Sequence, residues 1–308
     1  MDQATGLRKM VRGESRKVYR LTGGGGLSAK KRGPRVVAIT SGKGGVGKTN
    51  VAVNVGVACQ RMGKRVLIFD ADLGLANIDI IFGITVRHSI EDIVRGEKEL
   101  SQIIIEGPEG VSIIPASSGV QELSYLTEGQ KINLLNEFDR LNRKFDIMLI
   151  DTGAGISSNV IFFNLGAEQR IVVVTPEPTS MTDAYALIKV MFSRHGVKHF
   201  CLLANMVEDD QEGMSVYKNL SRVVGRFMGG VSMDYAGFIP RDACLQEAVS
   251  RRQPVVCCHP QATSSKSFKD LANYIVRESA NKDGAGNIQF FWRQLLCGVR
   301  DSGDESGD

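Results

Sequence analysis

The sequence predicts an α/β fold, a doubly wound and mostly parallel sheet with helices on both faces, and three observations carry that prediction. Strand-like runs alternate with helix-like segments from Val36 onward, the pattern of successive β-α-β units. Most of the strand runs are continuously apolar, as strands buried on both faces are. The first of them leads into Gly42-Lys43-Gly44-Gly45-Val46-Gly47-Lys48-Thr49, and a helical segment from Val51 to Met62 follows. That octapeptide fits G-x-x-x-x-G-K-[ST] in the strand-loop-helix setting the pattern requires. Crossovers in such sheets are right-handed, and ligands gather at the carboxyl ends of the strands.

In chain order, residues 1–35 read as a basic, flexible arm. They hold ten Lys/Arg against Asp2 and Glu14, and Gly23 to Gly26 form a run that holds no regular element. Asp2 is placed to cap a short helical turn through Ala4, Leu7 and Met10. The α/β body spans residues 36–280. Its strands are expected at Val36 to Thr40, Arg65 to Phe69, Val111 to Pro115, Phe145 to Ile150, Arg170 to Thr175, Phe200 to Ala204 and Tyr235 to Ile239. Later helices are expected at Glu128 to Asn142, Ser180 to Arg194, Ser215 to Phe227 and Ser264 to Glu278. Residues 281–308 begin with a Gly-rich linker and end in an acidic tail. Between these, Ile288, Phe291, Trp292, Leu295, Leu296 and Val299 form one apolar stripe at helical spacing. Such a stripe behind a linker suits a helix lying in a membrane interface.

Composition narrows the function. At 43% hydrophobic and 23% charged, the 308-residue chain has the balance of a soluble globular protein. No apolar run approaches a membrane span, and no apolar stretch follows the basic start as in a secretory signal, so a cytoplasmic location is expected. The six cysteines include no C-x-x-C and the four histidines show no metal-ligand spacing, which points to reduced thiols. Although the net charge is +4, the basic excess sits in the arm and the body from 36 to 300 is neutral. A neutral body counts against a nucleic-acid-coating surface.

The glycine-rich loop assigns the chemistry. Because its glycines lack Cβ atoms, the loop can turn the backbone N–H groups of Gly42, Gly44, Gly45, Val46 and Gly47 toward phosphate oxygens at the positive end of the following helix. Lys48 would pair with the outer phosphates, and the Thr49 hydroxyl would ligate Mg²⁺. Two further strand ends carry carboxylates: Asp151 suits a metal held through its water shell, and Asp70 or Asp72 suits orientation of the attacking water. The late strand ends in Asn205-Met206-Val207-Glu208 and not in N-K-x-D, which favours adenine over guanine and places the Asn205 amide beside the base.

Ser41-Gly42-Lys43-Gly44-Gly45-Val46-Gly47-Lys48-Thr49 resembles the deviant Walker A motif, with its additional lysine, of the MinD/ParA ATPases. The resemblance covers about residues 36 to 280. It implies ATP and Mg²⁺ as ligands, a face-to-face homodimer in the ATP state, and slow hydrolysis. It further implies that Lys43 reaches the partner's phosphates, that Asp72 in Asp70–Asn77 belongs to switch I, and that Asp151 in Asp151–Gly155 belongs to switch II. Asn205, Pro240, Arg241 and Asp242 resemble the adenine-contacting segments. Gly153 and Asn50 depart from MinD proper, where proline and threonine are usual. With Asp2-Gln3-Ala4-Thr5-Gly6-Leu7-Arg8, these departures resemble the FlhG family of flagellar-number regulators. That branch implies stimulation of the GTPase FlhF through Asp2, Gln3, Ala4, Leu7 and Arg8. It also implies flagellar assembly or regulatory partners and a peripheral place on the inner face of the cell membrane. A DNA-partitioning ParA, supported by Arg251-Arg252 and the arm, and a division-site MinD are the alternatives.

Overall fold

The computed structural model describes residues 34–72, 88, 92–93, 95–115, 127, 129, 133, 136–137, 140–141 and 144–281. The chain divides between Lys31 and Arg32, and all of these residues belong to the second unit. The arm element at residues 2–8, most of the switch I segment and the apolar stripe at 288–299 lie outside the described residues.

Eight strands form one sheet in the order β3-β4-β2-β5-β1-β6-β7-β8. They are β1 (Arg35–Ser41), β2 (Val66–Ala71), β3 (Ile105–Glu106), β4 (Ser112–Ile114), β5 (Ile147–Ala154), β6 (Gln169–Val174), β7 (His199–Val207) and β8 (Ser232–Pro240). All pairings are parallel except that of β3 with β4. The helices are α1 (Lys48–Arg61), α2 (Leu100–Ile103), α3 (Ser158–Gly166), α4 (Pro178–His195), α5 (Asp210–Phe227), α6 (Ala243–Ser250), α7 (Val255–Cys258) and α8 (Thr263–Asn281).

Continuous apolar runs become strands here because both faces of the sheet are covered. Successive side chains alternate between faces, so Val37 and Ile39 join Val66, Ile68, Ile147 and Leu149 in the core under α1 and α8. Val36 and Ala38 join Leu67, Phe69, Met148, Ile150 and Phe163 on the other face. A third cluster packs Val172, Val174, Leu202 and Ala204 against Leu187 and Ile188 of α4 and Val216 and Leu220 of α5.

The strands outrun their apolar cores at the carboxyl ends. β5 continues through Asp151 to Ala154 and β7 through Asn205 to Val207, because parallel pairing persists after the side chains turn polar. β3 has two residues, too few to show a period. α3 was not expected from the sequence because it is apolar nearly all round, although Ser157 caps it by accepting from the Val160 N–H. α5 starts five residues earlier than expected, where Asp209 accepts from the Glu212 N–H.

Candidate functional site

β1 lies between β5 and β6, so the loop after it opens at the middle of the carboxyl edge. Gly47, the residue before α1, has φ 91°, and a Cβ there would come within 2.5 Å of the Asn205 amide nitrogen. A Cβ on Gly42 would collide with the backbone of Asp183 in α4 at 2.1 Å. These two positions therefore admit glycine alone, one for its left-handed backbone and one for the close approach of another chain segment.

Lys48 is the first residue of α1 and is buried. Burial lowers its pKa, against the opposing pull of Asp151 and Asp72. Asp151 is aligned with Ile39 on one side and Asp70 on the other. It is 1% exposed, and neither carboxylate oxygen has a hydrogen-bond partner. Thr49 and Lys48 stand near enough to favour its charged form without bonding geometry; burial outweighs them, Asp72 adds to the rise, and the pKa is pushed up to about 7. A buried carboxylate without donors has a high free energy unless something cationic joins it. Beside a hydroxyl and a buried ammonium, the acceptor set fits a hydrated Mg²⁺ held by Thr49 and Asp151.

Asp70 and Asp72, left as alternatives by the sequence, are separated by the structure. Asp70 is buried, and its Oδ1 accepts from the Asp72 N–H at 3.1 Å, shaping the exit from β2. Asp72 is partly exposed and faces switch II, where a Cβ on Gly153 would lie 3.5 Å from its Oδ1. Asp72 is thus the carboxylate of the pair that borders Gly153 and acts electrostatically on Lys48 and Asp151. Switch II itself is tied to the P-loop strand, with the Thr152 hydroxyl donating to the Ile39 carbonyl and the Gly155 N–H to the Ser41 carbonyl.

Lys43 does not point into its own phosphate loop. Its Nζ pairs with the Glu177 carboxylate and donates to Thr179 Oγ1 at 2.9 Å, at the start of α4. The hydrogen bond from Lys43 holds the Glu177 pKa below its ordinary value. No sequence motif marks Glu177 or Thr179. The available signal is position, since both follow the carboxyl end of β6 next to the P-loop strand.

The residues that the resemblance assigns to adenine are engaged with the protein itself. Asn205 is buried, and one amide N–H donates to the Val46 carbonyl at 2.7 Å while its Oδ1 accepts from the Met206 N–H. Its primary role here is to brace the P-loop, leaving the second N–H of the amide for another acceptor. Arg241 donates to the Met206 carbonyl, which follows Asn205. Pro240 ends β8. Asp242 uses both oxygens within the chain: Oδ1 accepts from the Cys244 N–H at 2.8 Å, and Oδ2 from the N–H and hydroxyl of Ser264 at 2.9 and 2.8 Å. Burial resists its ionisation, but these bonds prevail and the pKa is lowered. The Asn50 carbonyl accepts from Asn54 inside α1.

A ParA family model, described as NUBPL iron-transfer P-loop NTPase, matches residues 33–276. The chain is 39% identical to the antiactivator FleN of Pseudomonas aeruginosa over 262 residues, covering 85% of this chain and 93% of FleN. It belongs to the MinD/ParA family of P-loop NTPases, in the FleN/FlhG group. The flagellum site-determining protein YlxH of Helicobacter pylori is 33% identical, over 86% of this chain and 91% of YlxH. The MinD of Pyrococcus horikoshii, solved with Mg-ADP, shares the fold with a TM-score of 0.63 at 24% identity, covering 81% of this chain and all of that one. This MinD/ParA chain is therefore a P-loop ATPase of the deviant Walker A kind. Among the described residues no helix is long and apolar enough to cross a membrane.

Proposed function

We propose that this chain is an ATP-driven dimerisation switch that controls flagellar number and placement. The observation that carries the reading is the pair of lysines in one loop. Lys48 is buried beside Asp151, while Lys43 pairs with Glu177 and Thr179 at the start of α4. A cation that does not serve its own phosphates is available to those of a partner. There it would stabilise the charge that spreads over the transferring phosphoryl group, as an arginine finger does. The relative YlxH, a flagellum site-determining protein, supports the flagellar setting.

In this reading the P-loop backbone from Gly42 to Gly47 and Lys48 bind the phosphates of ATP. Thr49 and Asp151 would hold Mg²⁺, which would supply charge neutralisation for the phosphates. Asp72 orients the attacking water. Asn205 braces the loop beside the base, and Pro240 and Asp242 shape the adenine wall through the backbone they fix. Residues 2–8 stimulate an FlhF-type GTPase, Gln3 orienting its water and Arg8 securing the docking. The stripe Ile288, Phe291, Trp292, Leu295 and Leu296 lies in an anionic membrane surface. One copy with few cations binds weakly, and dimerisation adds avidity. The protein thus alternates between cytoplasm and the inner face of the cell membrane.

The test is the ATPase rate per subunit against protein concentration, with and without anionic liposomes. The expected rate rises with concentration and rises again with liposomes. A rate per subunit that is flat across the range would remove dimer-dependent catalysis. Steeply salt-dependent binding to non-specific DNA would favour the partitioning alternative.

A further inference from the structure

The edge of the sheet remote from the phosphate loop holds a second cluster of chemistry-bearing side chains. His199 is the first residue of β7 and Cys201 lies two residues on, so both face the same side of the sheet. Asp234 of β8 is paired directly with Cys201 in the strand register, and Ser232 with His199. The ligating atoms of His199, Cys201 and Asp234 all lie within 4.8 Å of one another. We propose that these three residues form a divalent-metal site, with Zn²⁺ as the fitting ion, that clamps β7 to β8.

The distances suit a small tetrahedral ion. Metal bonds of about 2.0–2.1 Å to nitrogen or oxygen and about 2.3 Å to sulfur put ligand atoms roughly 3.3–3.6 Å apart. His199 Nε2 and Asp234 Oδ2 are already 3.4 Å apart. The half-exposed Asp234 side chain has the freedom to close the remaining gap to sulfur. The donor set of one imidazole, one thiolate and one carboxylate matches zinc and excludes Mg²⁺ and Ca²⁺, which take oxygen. Three protein ligands leave one position open to water on the exposed Asp234 side.

The surroundings supply the supporting contacts that metal ligands need. The other ring nitrogen of His199, Nδ1, lies 3.3 Å from Ser232 Oγ, which fixes the ring with Nε2 turned to Asp234. Cys201 is 1% exposed, yet two donors converge on its sulfur: Gln169 Nε2 of β6 and the Tyr274 hydroxyl of α8, each at 3.3 Å. A thiol is a weak acceptor, and two donors directed at one buried sulfur are better matched by a thiolate. On binding, the Cys201 thiol proton leaves to solvent and its sulfur lone pair takes the metal. Because Tyr274 belongs to α8, the site would couple the β7–β8 edge to the last described helix.

The experiment is a titration of the full chain, stripped with a chelator, with Co²⁺ and then with Zn²⁺. The expected result is one equivalent per chain, with a thiolate-to-cobalt charge-transfer band that Zn²⁺ abolishes. His199→Ala and Asp234→Asn are expected to weaken binding at least tenfold, and Tyr274→Phe by about ten- to a hundredfold if its hydroxyl orients the thiolate. Cys201 is buried, so Cys201→Ser is read only with Asp234→Asn, whose position tolerates substitution. The triple variant Cys244→Ser, Cys257→Ser, Cys258→Ser is expected to bind as the parent does. No charge-transfer band, binding unweakened by both His199→Ala and Asp234→Asn, or binding lost in the triple variant would each overturn the site.

Discussion

Two strand ends on the same edge of the sheet treat a carboxylate in opposite ways. At the end of β8, Asp242 receives three hydrogen bonds from Cys244 and Ser264, and its pKa is lowered. At β5, Asp151 is buried with neither oxygen bonded, and its pKa is pushed up to about 7. The first arrangement stabilises the native chain by itself. The second leaves a buried carboxylate without donors, a cost that a bound cation would relieve. The contrast is between a carboxylate whose hydrogen bonds the chain supplies and one whose bonds it does not.

The largest expected effects come from the two lysines of the phosphate loop. Lys43→Ala is expected to keep nucleotide binding but lose ATP-dependent dimerisation and about a thousandfold in turnover, the range in which a finger cation acts. Lys48→Ala is expected to lose about a hundredfold in ATP affinity, from charge-assisted bonds contributing about 3 kcal/mol in total. Light scattering on ATP-loaded protein, with fluorescent-nucleotide titration, distinguishes the two. A Lys43→Ala variant that still dimerises and turns over would end the trans assignment.

Next in size is Asp72→Ala. The phosphate and metal contacts survive in this variant while the water loses its orienting group, so turnover is expected to fall by about 10²–10⁴-fold with dimers accumulating. Wild-type turnover would transfer the role elsewhere, and buried Asp70, committed to the β2 exit, is a poor heir.

The fold was legible because a sheet buried on both faces writes itself as apolar runs separated by helical segments, and β1, β2, β5 and β6 are such runs. The P-loop was legible because its glycines are demanded by geometry, as Gly42 and Gly47 show. What the sequence hid were the partners. Asn205 was readable as a polar strand end but not as the brace of the Val46 carbonyl, 159 residues away. Asp242 was readable as a polar strand end but not as the cap of α6 bonded to Ser264. His199, Cys201 and Asp234 show no ligand spacing along the chain because the register of β7 with β8 brings them together. Glu177 and Thr179 meet Lys43 from 134 and 136 residues away, through the neighbouring positions of β1 and β6, which no local motif encodes.

A smaller and more specific effect concerns pH. The folded pKa of Asp151 lies above its ordinary value of 3.8, so between about pH 4 and 7 the folded chain holds a proton that the unfolded chain does not. Its contribution to stability therefore falls as pH rises through that window. Lys48, whose pKa is lowered, is expected to deprotonate more readily once its counter-charge is gone. Both terms make Asp151→Asn gain on the wild type between pH 5 and pH 8, by on the order of 1 to 3 kcal/mol. Urea denaturation of both proteins at the two pH values measures the difference. A gap that stays constant with pH would mean that Asp151 is already satisfied in the free protein, and the contrast with Asp242 would fail.

The smallest expected effect tests the other side of that contrast. Asp242→Ala removes the cap of α6 and the bonds to Ser264 at the start of α8, but it leaves the phosphate loop and its lysines in place. A lost cap and one stranded hydroxyl cost about 1–2 kcal/mol, which urea denaturation resolves. Asp242→Asn retains an acceptor for the Cys244 N–H and is expected to recover part of that loss. Because both carboxylate oxygens are already engaged, Asp242 acts on the base only through the position of its backbone, so ATP affinity should change by no more than about threefold, or about 0.6 kcal/mol. If affinity instead fell tenfold while stability held, Asp242 would be a direct nucleotide contact. The β8 end would then have to be counted with β5, as part of the site and not of its wall.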